Sequence, residues 1–225
     1  MLALLERARE SLSSVFPRTV GDLTVVLHES QWSLMAANPL MPLTWAMTAP
    51  AARRYLAGWV SRDELHVVAP TVLAGRASSV PGSAQMLALA PASLYTRRVI
   101  VECNHELHDA NPAARLSVGL RWAWLLEGGA RWFSGETAHA RGAIGRRLHE
   151  GRRPHFPPGL SDAPLLGGTV IDLIAREQGE PAAAQFVTRL HPQGPRAALT
   201  KVFGRPLVHT EGAWRSHLAR LASAG

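Results

Sequence analysis

The chain has 225 residues, 47% of them hydrophobic, and a formal net charge of +7. That length can bury a sizeable core, and no apolar run approaches the length that spans a bilayer, so no membrane-spanning helix is expected. The charge comes almost wholly from Arg, with Lys201 the only Lys. It is spread in pairs such as Arg53-Arg54, Arg97-Arg98, Arg146-Arg147 and Arg152-Arg153. Scattered pairs argue against a nucleic-acid partner, which needs a clustered patch.

Cys103 is the only cysteine, so no internal disulfide is possible. In MLALLERARESL, Glu6, Arg7 and Arg9 interrupt any apolar export segment, and a cytoplasmic location is expected. Leu2 to Val15 reads as an amphipathic helix, with Leu2, Leu5, Ala8 and Leu12 on one face. Phe16-Pro17 stops it. Leu23 to His28 is apolar and β-branched, a strand candidate. Residues 29–50 read as irregular, because Asn38-Pro39 and Met41-Pro42 break any helix. Tyr55 to Val60 and Glu64 to Ala69 read as two short strands turning at Ser61-Arg62-Asp63. Residues 72–86 carry Gly, Ser and Pro and are expected to form a loop.

Leu94 to Ala110 is predicted to be one helix, with Val99, Cys103, Leu107 and Ala110 on an apolar stripe and His105 and Asp109 away from it. Asn111-Pro112 ends it. Leu116 to Phe133 is predicted as the next helix. Residues 136–164 are rich in Gly, Pro and Arg, with a helix near 138–150. Helices over 170–178, 181–190, 196–203 and 212–222 follow, with Gly179 and Gly204 as stops. Strands early and helices late give an α+β class. The expectation is a single domain over residues 1–225, with an α/β part to about 110 and a helical part after it.

Chemistry concentrates between Arg97 and Glu136. A zinc hydrolase needs three protein ligands and an open position for water. Two ligands at i and i+4 of one helix supply one face, the Glu after the first takes a proton from the bound water, and a Glu on a following helix completes the set. Trp124-Leu125-Leu126-Glu127-Gly128-Gly129-Ala130-Arg131-Trp132-Phe133 resembles the WLxEGxAxY element of gluzincin metallopeptidases, the thermolysin-like and aminopeptidase-like group. Ala198 to Gly204 and Trp214 to Leu218 resemble the ending of small bacterial peptidase-like domains of that type, and Gly58-Trp59 and Val67 to Pro70 also fit.

The resemblance implies a small N-terminal mixed sheet packed on an active-site helix, a mainly helical C-terminal half, zinc as cofactor, and a peptide or protein as substrate or partner. It implies a degenerate HExxH in one of two registers. In the first, His105-Glu106-Leu107-His108-Asp109 is HExxD: His105, Asp109 and Glu127 hold zinc and Glu106 is the general base. In the second, Val101-Glu102-Cys103-Asn104-His105 is VExxH, leaving only His105 and Glu127 as ligands. The later region Asp162 to Gly168 lacks the Tyr or His that stabilises an oxyanion in such enzymes, and His155 is the nearest substitute.

Two functions follow: a zinc-dependent peptidase, or a catalytically silent relative that keeps the fold to bind a partner. Cys103, on the apolar stripe, reads as a core residue rather than a nucleophile. Trp122, Trp124 and Trp132 read as packing residues, and Ser134 lacks the companions of a nucleophilic triad.

Overall fold

In this computed structural model the described residues are 1–108 and 111–223, with His108 and Pro112 described for backbone alone. The fold is α+β. The order is α1 (Leu2–Ser13), β1 (Thr24–His28), α2 (Gln31–Ala37), α3 (Met41–Met47), α4 (Pro50–Arg53), β2 (Gly58–Val60), β3 (Glu64–Val68), α5 (Pro70–Gly75) and α6 (Ser83–Cys103). There follow α7 (His105–His108), α8 (Pro112–Arg121), α9 (Ala123–Phe133), a 3-10 turn (Glu136–His139), α10 (Arg141–His149), α11 (Ala163–Gln178), α12 (Glu180–Thr188), α13 (Pro195–Phe203) and α14 (Leu207–Ser223). No helix among the described residues is long and apolar enough to cross a membrane.

The sheet has the order β1-β3-β2, with β1 parallel and β2 antiparallel to β3. The predicted strands lie where expected, β1 and β3 each one residue shorter and β2 reduced to the second half of Tyr55 to Val60. Between β1 and β2 the expected irregular segment is instead three short helices. Ser30 and Ser33 make a reciprocal capping box at α2, and Pro42 and Pro50 sit in the first turns of α3 and α4, where a missing N–H costs nothing. Of the two prolines read as breakers, Pro42 is therefore a helix starter, while Pro39 lies in the turn between α2 and α3.

α6 begins eleven residues ahead of the predicted helix, at Ser83 rather than Leu94, and its Ala- and Leu-rich first half is a strong helix former. It runs beneath the sheet and against α9. Val99 and Ile100 of α6 and Leu125 of α9 are completely buried. The tightest packing is between α9 and α11. A Cβ on Gly128 would lie 2.2 Å from the carbonyl carbon of Gly167, and one on Gly167 would lie 2.2 Å from the carbonyl oxygen of Trp124. The glycines of Glu127-Gly128-Gly129 and Leu166-Gly167-Gly168 let two helix backbones touch. One hydrophobic cluster extends from Leu5 through Leu65, Val99, Leu125 and Ile171 to Trp214.

Candidate functional site

The helix predicted over 94–110 is interrupted at Asn104. This residue leaves helical geometry at φ −111°, ψ 100°, and its side chain is committed to neighbours. Its Nδ2 donates to Ile100 O at 2.7 Å and to Val187 O at 2.9 Å, and its Oδ1 accepts from Leu190 N at 3.0 Å. A buried amide that caps α6 and ties it to the end of α12 is a strong stop. The chain then makes the four-residue α7, and Asn111 caps α8 by accepting from Ala114 N at 2.9 Å. The Leu116–Phe133 helix is likewise split, at Trp122.

This break decides where the sequence candidates lie. His105 is beyond the end of α6, its side chain 81% exposed and paired with adjacent Glu106 at 3.2 Å. Glu127 lies in the first half of α9 and lines a cleft of about 680 Å³ that neither His105 nor Glu106 lines. Asp109 lies outside the described residues. Of the sequence candidates among the described residues, Glu127 alone lines this cleft. Among the described residues no group of three or more His, Cys, Asp or Glu side chains is arranged to hold a metal ion. In the second register, Val101 and Glu102 are on α6 and His105 is past its cap, so they do not share one helix face. His155 is exposed and does not line the cleft.

What faces Glu127 is arginine. Arg97 Nη1 lies 2.9 Å from Glu127 Oε1, with both side chains partly buried. Ala90, Ser93, Leu94, Arg97, Arg98 and Val101 of α6 all line the cleft, at the three- and four-residue spacing of one helix face. Ala123, Leu126, Glu127, Ala130 and Arg131 of α9 do the same. Strand β2 and its flanks form one wall and α8, through Arg115, Leu116, Gly119 and Leu120, another. Trp59 of β2 stacks flat on His66, ring centroids 3.9 Å apart, and His66 Nδ1 is 3.0 Å from His28 Nε2.

The cleft holds two more ion pairs. Arg98 Nη1 is 2.8 Å from Glu102 Oε2, and Arg98 Nε donates to Arg62 O at 2.7 Å. Arg131, one turn after Glu127, pairs with Glu136, and its Nη2 donates to Tyr55 O at 3.2 Å. Glu136 is completely enclosed. Burial drives its carboxyl up to about 7, against the opposing pull of Arg131 and Ser93 and with a further push from Glu127. At Cys103 burial also pushes the thiol up, the reverse of what activates a nucleophile.

Of the zinc donors implied by the sequence, Glu127 lines the cleft, His105 does not, and Asp109 lies outside the described residues. Glu127 is the one candidate ligand in the cleft among the described residues, and a guanidinium already neutralises it. A cation beside Arg97 would meet like charge, and the position one turn further along α6 is Val101, which has no donor atom. The sequence signal for this arrangement was present in the spacing of Arg97, Val101 and Glu127, but a search for His passes over it. Comparison with known proteins gives no match: no family model, no curated protein and no solved structure aligns significantly with the chain.

Proposed function

We propose that the protein is a non-catalytic binding module that holds an extended peptide segment in this cleft, on a scaffold resembling that of a metallopeptidase. The observation that carries this reading is the ion pair of Arg97 with Glu127, which occupies the cleft floor with a fixed internal cation. The class of ligand is suggested by β2. It is hydrogen-bonded to a strand on one side only, and Gly58, Trp59 and Val60 all border the cleft. An edge strand beside a groove can accept an added strand, with backbone hydrogen bonds supplying affinity and alternate side chains supplying specificity. The zinc peptidase reading is the less favoured, because Arg97 already pairs with Glu127 and neither His105 nor Glu106 lines the cleft.

The test is incubation of the full chain with a random peptide mixture in the presence of zinc, followed by mass spectrometry of the bound and free fractions. The expected result is that every peptide is recovered intact and a subset travels with the protein. Cleavage that a chelator stops, or no retained peptide, would overturn the proposal.

A further inference from the structure

We infer that the peptide held in the cleft is acidic, carrying at least one side-chain carboxylate among apolar residues. This rests on the peptide-binding reading and adds the chemistry of the ligand. The lining contains the arginines Arg62, Arg97, Arg98, Arg115 and Arg131 against the acids Glu127 and Glu136. Three of these guanidiniums are paired, with Glu127, Glu102 and Glu136. Arg62 and Arg115 are exposed on opposite walls and have no carboxylate partner among the described residues.

A carboxylate is the group that suits a guanidinium, through two parallel hydrogen bonds. Much of the rest of the lining is apolar, Met41, Leu94, Leu116 and Leu120 among it, with Leu116 and Leu120 57% and 50% exposed. Exposed leucines on the α8 wall give a ligand's apolar side chains a surface to cover. A polyanion such as a nucleic acid fits less well, since Glu127 and Glu136 lie on the floor and only Arg62 and Arg115 are free to meet a run of phosphates.

The test uses the full chain and a random peptide pool amidated at the C-terminus, so that every carboxylate is a side chain. Wild-type protein should retain peptides enriched in Asp and Glu beside large apolar residues. An Arg62→Ala/Arg115→Ala variant, altered only at exposed positions, should keep its circular dichroism and its apolar preference but bind the enriched peptides roughly tenfold more weakly. An Arg62→Glu/Arg115→Glu variant should turn the preference toward Arg and Lys. Retained peptides with no acidic enrichment, or an enrichment that survives both variants, would overturn the inference while leaving the peptide cleft standing. Retention of nothing by the wild type would instead remove the peptide reading itself. Displacement of the peptides by an oligonucleotide at lower concentration than by an acidic peptide would overturn the inference in favour of phosphate.

Discussion

Arg97 and Glu127 meet across the cleft at 2.9 Å, joining the cleft face of α6 to that of α9. Val101 lies one helical turn from Arg97 on the same lining face. If these positions stand where a metallopeptidase-like scaffold would hold its first two ligands, replacing them should restore a donor set. An Arg97→His/Val101→His variant is expected to bind zinc stoichiometrically in calorimetry, and a further Glu127→Ala change to abolish that binding. A double-His variant that folds but takes up no zinc would show that the α6 and α9 faces are not in ligand register.

Gly128 and Gly167 set the distance between α9 and α11. A methyl group at Gly128 has no room against the Gly167 backbone, and neither helix can yield without moving Leu125 and Leu166, both fully buried. Gly128→Ala should therefore destabilise the protein by roughly 3 kcal/mol, measured by urea unfolding. Gly212, with open space around its Cβ position and a site within α14, is the control. Gly212→Ala should be neutral or stabilising, by up to about 1 kcal/mol. Equal effects at the two sites would contradict the packing argument.

Much of the fold was legible in sequence. The β-branched runs ending at His28, Val60 and Val68 are strands, and the breaks at Gly179 and Gly204 are where α11 and α13 end. The central helix misled because its stop, Asn104, is read as an ordinary polar residue until Val187 and Leu190 arrive from more than eighty residues away. Without that long-range cap, Val99, Cys103 and Leu107 look like one continuous stripe. Glu127 was legible as a candidate ligand, but its partner was not, because the motif calls for metal-binding side chains and Arg97 is not one. The two glycines following Glu127 have an explanation in packing.

Asn104 gives a direct measure of that cap. In Asn104→Ala the Leu190 N–H and the Val187 carbonyl lose their side-chain partner in a buried setting. A loss of roughly 3 kcal/mol is expected. Hydrogen exchange should rise first at the end of α6 and the end of α12. A loss spread evenly over the chain would contradict a local anchoring role.

Glu136 should make stability depend on pH in a definite direction. Its carboxyl titrates near 7 in the folded chain against an ordinary 4.5. The folded state therefore holds this proton more tightly than the unfolded state. The resulting stabilisation is complete below the ordinary carboxyl value and is lost as pH rises through about 7. Relative to Glu136→Gln, the wild type should lose stability between about pH 4 and about pH 8, by about 3 kcal/mol at most. Urea unfolding of both proteins across that range cancels the other titrating groups. A flat difference, or one that grows with pH, would contradict the assignment.

The most direct test of the cleft's nature is the zinc content of purified wild-type protein after equilibration with excess zinc and gel filtration, measured by elemental analysis beside a Glu127→Ala variant. With Arg97 already neutralising Glu127, the expected result is substoichiometric zinc that is the same in both proteins. Stoichiometric zinc in the wild type that disappears in Glu127→Ala would contradict the binding-module reading and restore the peptidase.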